Sequence, residues 1–114
     1  MADEATIEVV DVPEQHRFEI RVDGALAGFA DYSRRGGRLI FRHTEIDTSY
    51  EGRGLGSKLA QGALDAARAG EHAVVPLCPF IASYIEKHPE YEDLVDHECL
   101  EYLEERQAKR RAPQ

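Results

Sequence analysis

The chain has 114 residues, 42% hydrophobic and 32% charged, which is enough apolar content for one packed core and excludes a disordered or fibrous protein. Its formal net charge of -8 excludes a surface that wraps nucleic acid and, if anything, favours cationic partners such as amines or basic segments. Apolar runs fall short of the roughly 20 residues that a membrane span needs, Met1-Ala2-Asp3-Glu4 lacks the basic start of a signal peptide, and Cys78 and Cys99 form neither a C-x-x-C pair nor a disulfide framework, so a cytoplasmic protein with reduced thiols is expected.

Ile7 to Val12 and Arg17 to Val22 read as strands, because Phe18, Ile20 and Val22 alternate with polar residues and Pro13 breaks the run between them. Asp23-Gly24 is a hairpin signal leading into a third strand over Ala25 to Tyr32. Arg34-Arg35-Gly36-Gly37 is a second turn, and Arg38 to Ile46 alternates Leu39, Phe41 and His43 against Ile40, Arg42 and Thr44 as a fourth strand. Leu55, Leu59, Ala63 and Ala67, with Ala60 and Leu64, make one apolar helical stripe that Gly70 stops. Ala73 to Leu77 is a short apolar strand; since it follows a helix that follows a strand, the crossover makes these two strands parallel, and Pro76 ends the second one early. Pro79 opens a second helix through Lys87, closed by His88-Pro89. From Glu90 on, acidic residues precede Arg106, Lys109, Arg110 and Arg111, the charge order of a final helix whose last residues fray. The expected fold class is α/β in the α+β sense: a mixed, mostly antiparallel sheet with one parallel pair and flanking helices. It forms a single domain over 1–114, with its core at about 7–95 and a helical tail from about 96 to 114.

Chemistry concentrates in the segment Glu51-Gly52-Arg53-Gly54-Leu55-Gly56-Ser57-Lys58, between a strand and an amphipathic helix. Glycines admit backbone N–H groups close to a phosphate, the helix start adds unpaired donors and positive dipole, and Arg53 and Lys58 add charge. The spacing is G-x-G-x-G, so neither the dinucleotide fingerprint G-x-G-x-x-G nor the P-loop G-x-x-x-x-G-K-[ST] is met.

This segment resembles the pyrophosphate-binding motif Q/R-x-x-G-x-G/A of the GNAT superfamily of N-acetyltransferases, with Gly54 and Gly56 in the glycine places and Glu51 where the motif has Gln or Arg. The order of elements over about Ile7 to Val95 resembles that superfamily's fold. His43-Thr44-Glu45-Ile46, Pro76-Leu77-Cys78-Pro79-Phe80-Ile81 and Tyr84-Ile85-Glu86-Lys87-His88-Pro89-Glu90-Tyr91 resemble the signature segments of its minimal, short members. Only Asp11 to His16 separates the first two strands, so the resemblance implies an acceptor side left unusually open.

The resemblance implies acetyl-coenzyme A as cosubstrate and an amine acceptor, either a small molecule or a protein lysine or N-terminus. Coenzyme contacts would come from Ile46, Arg53, Gly54, Leu55, Gly56, Ser57 and Lys58. Acetyl transfer needs a base for the amine, stabilisation of an oxyanion and a proton for the departing thiolate. A backbone N–H of the strand Arg42 to Ile46 would face the thioester carbonyl. His43 and Glu45 share one strand face, so either is a candidate base; the alternative is a surface or cross-strand pair. Tyr84 stands where many relatives carry the tyrosine that protonates the coenzyme sulfur; otherwise it is a core tyrosine. Cys78, at the end of the second parallel strand, is a candidate acid or acetyl carrier, against a buried structural cysteine. Direct transfer in a ternary complex is expected, because no base stands at an obvious spacing to activate Cys78. His88 and Tyr91 near the helix end are candidates to shape the acceptor mouth, although a lone His before Pro is more often a capping or surface residue. His43, His72, His88 and His97 have no ligand spacing on one element, so no metal is expected. A non-catalytic acyl-coenzyme A sensor, or a structural subunit associating through Leu100 and Leu103, would fit the same chain; a monomer or weak dimer is expected.

Overall fold

The computed structural model describes residues 6–111, with side chains as far as Lys109. The readings made at Met1 to Glu4 and at the last residues of the tail lie outside them. Five strands, β1 (Ile7–Val12), β2 (Arg17–Val22), β3 (Ala25–Arg35), β4 (Arg38–Ile46) and β5 (Ala73–Pro76), form one sheet in chain order. The first four pair antiparallel, and β4 pairs with β5 in parallel. Three helices flank it: α1 (Leu55–Ala69), α2 (Pro79–Lys87) and α3 (His97–Arg111). No helix among the described residues is long and apolar enough to cross a membrane.

Three boundaries differ from the sequence reading. β3 runs to Arg35 rather than Tyr32, because Gly36 and Gly37, with φ of 56° and 79°, complete a two-residue hairpin by themselves, and Arg35 pairs with Arg38. β5 stops at Pro76, one residue short, since Leu77 N–H turns back to the Val75 carbonyl at 3.1 Å. The stretch after α2 is not yet the final helix: Pro89–Leu94 is a 3-10 helix, and Val95 bridges Val74 in parallel at the outer edge of β5. Asp96 then starts α3, accepting the Cys99 N–H at 3.0 Å, while Arg38 binds the same carboxylate at 2.7 Å.

One face of the sheet carries the core. Phe18, Ile20, Val22, Leu39 and Phe41 from the strands meet Leu59, Ala63, Leu64 and Ala67 from α1, and Ile81 and Ile85 from α2. The helical stripe read from the sequence is buried as a unit, with Leu59, Ala60, Ala63, Leu64 and Ala67 each fully excluded from solvent. Ile40 and Val75, also buried, lie outside this cluster on the other face, over part of which α3 lies.

The simple alternation expected along β4 does not hold. Asp31 pairs with His43 but Tyr32 pairs with Phe41, so Arg42 is an extra residue, a β-bulge. Side-chain parity flips there. Beyond the bulge, Thr44 and Ile46 share the α1 side with Leu39 and Phe41, while His43 and Glu45 stand on the opposite, exposed side, still sharing a face with each other.

Candidate active site

β4 delivers the chain into the glycine loop through a short 3-10 turn, Thr48–Tyr50, which Asp47 caps by accepting the Ser49 N–H at 2.9 Å. Gly52 and Gly54 then adopt positive φ values of 85° and 72°, a region that strains other residues, β-branched ones most. Gly54 is the N-cap of α1 and offers no side chain to its first turn. The N–H groups of Leu55, Gly56 and Ser57 therefore have no acceptor inside the helix. The Lys58 N–H is different: it donates to the Gly54 carbonyl at 3.3 Å, so what Lys58 offers a ligand is its exposed ammonium. Leu55 likewise offers only its backbone, because its side chain is buried in the core.

Leu55, Gly56 and Ser57 line an open hollow of about 260 Å³, walled also by Ile46, Tyr50, Glu51, Gly52, Gly54 and Phe80. The Arg53 guanidinium sits 5.3 Å from the centre of the Tyr50 ring, and α1 adds the positive end of its dipole. A Cβ at position 56 would come within 2.7 Å of the Phe80 ring, so Gly56 is what lets Phe80 of α2 close against the start of α1. Phe80 is 41% exposed, unusual for a phenylalanine, and lines the hollow. The sequence reading missed it; its place one residue into a helix opened by Pro79, beside the parallel strand end, was the available signal.

β4 and β5 part company after Phe41 and Pro76, their last paired residues. Cys78 N–H donates to the Phe41 carbonyl at 2.9 Å, and beyond it β4 runs on to Ile46 with no strand among the described residues on that side. Cys78 is buried at this fork, its Sγ 3.2 Å from the Thr44 hydroxyl. Thr44 also escaped the sequence reading, since without the bulge its side chain belongs to the other face.

The other candidates divide across the fork. Tyr84 belongs to α2, on the α1 side, and lines a small recess with Ser57, Phe80 and Lys87; Ser57 and Phe80 are shared with the glycine-loop hollow. Its ring stacks on His88 at 4.0 Å and lies 6.1 Å from Tyr91. Burial, then the charges of Glu90 and Asp65, raise the Tyr84 hydroxyl above its ordinary pKa, so it holds its proton at neutral pH. Tyr91 is committed elsewhere, donating to Asp65 at 2.7 Å and fixing the segment after α2 against α1. His43 and Glu45 lie on the opposite side, paired at 3.1 Å and largely exposed. Among the described residues, no group of three or more His, Cys, Asp and Glu converges as metal ligands would.

Comparison with known proteins agrees with this geometry. The family model described as GCN5-related N-acetyl-transferase matches residues 17–94, from the start of β2 to the end of the 3-10 segment that precedes α3. The chain is also similar to the N-alpha-acetyltransferase RimI of Mycobacterium tuberculosis (strain ATCC 25618 / H37Rv), 40% identical over 62 residues that cover 51% of this chain and 39% of that protein. The match thus spans about two fifths of the relative's length. With the family model covering the two antiparallel pairings and the one parallel pairing of β2 to β5, and the glycine loop, the chain belongs to the GCN5-related N-acetyltransferase family.

Proposed function

We propose that this chain is an N-acetyltransferase that takes acetyl-coenzyme A on its glycine loop and passes the acetyl group directly to an amine, with both substrates bound together. The observation that carries the proposal is the loop itself: three N–H groups without helical acceptors at the Gly54 cap open on a hollow next to the place where β4 and β5 separate. The residues present fit the cosubstrate. No side chain fills the cradle at Gly52 or Gly54, where a Cβ would meet nothing within 4 Å, and Arg53 and Lys58 supply cationic charge for a pyrophosphate. Acetyl-coenzyme A would contribute an acetyl group already activated as a thioester.

The chain's own residues would do the rest. Leu55, Gly56 and Ser57 N–H groups hold the phosphates, with the Arg53 and Lys58 side chains, while Ile46 and the unpaired edge of β4 orient the arm that carries the acetyl group. Glu45, or His43 in contact with it, accepts the proton of the attacking amine from the opposite side of the fork. Tyr84, protonated at neutral pH, returns a proton to the departing sulfur. The likeness to a protein named as an N-alpha-acetyltransferase supports an α-amine as the acceptor.

Calorimetry with acetyl-coenzyme A, followed by a mass-spectrometric screen of primary amines, tests the reading. Binding and acetylated product are expected together. Binding without transfer to any amine would leave a coenzyme sensor instead, and absence of binding would remove the proposal.

A further inference from the structure

We infer that the cavity between α3 and the exposed-side face of β4 is a carboxylate-binding subsite for the acceptor, which selects amines that carry an acidic group. This rests on the acetyltransferase reading and adds to it the class of acceptor. The cavity holds about 280 Å³ and joins Arg35, Arg42 and Arg106 to an apolar floor of Ile40, Leu77 and Leu103. That is the small end of the range for ligand pockets and suits a short side chain or small metabolite rather than a folded surface.

Its charge is the anomaly. The chain carries 22 acidic residues against 14 lysines and arginines, and Arg17, Arg21, Arg38 and Arg68 each pair with a carboxylate. Among the described residues, Arg35, Arg42 and Arg106 pair with none. Arg42 gives its Nε–H to the Ser33 hydroxyl at 3.1 Å and Arg106 donates to the Tyr102 hydroxyl at 3.2 Å, contacts that orient two guanidinium groups without neutralising them. Three guanidinium groups around a recess in an acidic protein, two of them held in place, bind carboxylate or phosphate groups well.

Its position ties it to the reaction. Arg42 directly follows Phe41 and Leu77 directly follows Pro76, the last paired residues of β4 and β5, so the cavity opens at the fork. It lies on the same side as His43 and Glu45 and opposite the glycine loop. An acceptor anchored by its acid there reaches the fork from the side the coenzyme does not use. The bulge at Arg42 is what brings His43 and Glu45 onto the side that Ile40 and Arg42 already face. The overall negative charge would favour cationic acceptors, and the local field at the fork reverses that preference.

Glutarate serves as a binding probe without an amine, read by NMR at the arginine Nε–Hε signals, with 1,5-diaminopentane as the cationic control. The dipeptide amides Ala-Glu-NH2 and Ala-Gln-NH2 serve as a matched acceptor pair. Glutarate should shift the Arg42 and Arg106 signals saturably and the diamine should not. The double variant R42Q/R106Q, altered at two exposed positions, should bind glutarate at least about ten-fold more weakly, as expected for loss of charge-assisted hydrogen bonds. Wild type should favour the glutamyl over the glutaminyl acceptor by about ten-fold or more in kcat/KM, and R42Q/R106Q should bring that ratio close to unity, with coenzyme affinity by calorimetry unchanged. Glutarate that leaves the arginine signals in place, or binds R42Q/R106Q as it binds wild type, overturns the subsite. Failure of coenzyme binding in wild type is a separate result that overturns the acetyltransferase reading while the glutarate measurement stands.

Discussion

The Cys78 thiol and the Thr44 hydroxyl lie 3.2 Å apart across the point where β4 and β5 diverge. Cys78 is only 3% exposed, and its backbone N–H is bound to the Phe41 carbonyl, so its role is visible in the architecture: it pins the last residue of β5's exit to β4 and leaves the strands beyond free to part. A carrier thiol needs a thiolate and access to the acceptor, and the side chain that touches this sulfur is a hydroxyl, not a base. Cys78→Ala should therefore keep measurable acetyl transfer, with intersecting initial-rate lines, and lose about 1 kcal/mol of stability from the vacated volume. An acetyl adduct mapped to Cys78, formed and discharged at the turnover rate, would establish the covalent route instead.

Gly54 and Gly56 of the loop should fail for different reasons. At Gly54 space is open and conformation is the constraint: the φ of 72° disfavours a β-branched residue, so Gly54→Val should distort the cap and weaken acetyl-coenzyme A binding about ten-fold or more. At Gly56 the obstacle is the Phe80 ring, 2.7 Å from an added Cβ. Gly56→Ala should weaken binding, and Gly56→Ala with Phe80→Leu should recover part of it. Titration calorimetry on the four proteins decides; equal affinity in a folded Gly54→Val variant refutes the loop as the coenzyme site.

Much of this was legible in the sequence, because the signals were local. Alternating Phe18, Ile20 and Val22, the stripe from Leu55 to Ala67, and glycines between a strand and a helix each carry their structure within a few residues. The bulge was not legible, since nothing local marks Arg42 as supernumerary; it is set by the pairing of Asp31 with His43 and of Tyr32 with Phe41 across β3. That one residue reversed the facing of Thr44 and hid its contact with Cys78. It also separated Tyr84 and Cys78 from His43 and Glu45, which chain order alone leaves in one undivided list. The arginine cavity under α3 depends on side chains 64 positions apart, from Arg42 to Arg106, and no spacing rule joins them.

Glu19 lies 6% exposed in β2 and takes Arg21 at 2.7 Å and Arg17 at 2.7 Å, which lower its pKa below the ordinary carboxylate value, the Arg21 hydrogen bond contributing most. A depressed folded-state pKa gives stability that is complete above the unfolded value of about 4.3 and is lost as pH falls through the folded value. Glu19→Gln should lower the melting temperature at pH 7 by about 4 °C or more. The gap to wild type should narrow as the pH drops below about 4, where the wild-type carboxylate also gains its proton. A gap constant from pH 7 to pH 3 would mean that packing, not the ion pairs, carries the effect.

Tyr84 offers the sharpest kinetic test, because its hydroxyl makes no hydrogen bond to any described residue, while its ring is held by His88 at 4.0 Å and by the wall it shares with Phe80. Tyr84→Phe preserves that ring and removes only the proton donor. If the hydroxyl protonates the departing sulfur, kcat should fall about 100-fold with acetyl-coenzyme A affinity nearly unchanged, the pattern of an interaction made in the transition state. The pH profile gives an independent reading. An acid must be protonated to act, so activity that depends on Tyr84 declines only as pH rises through its pKa, and burial with the Glu90 and Asp65 charges moves that pKa above the ordinary tyrosine value of about 10. Wild-type kcat should thus show no basic limb below about pH 10, and the residual activity of Tyr84→Phe should no longer depend on this group. Equal turnover in the variant and wild type would assign the proton to another donor, and loss of coenzyme affinity would make Tyr84 a wall of the site rather than its acid.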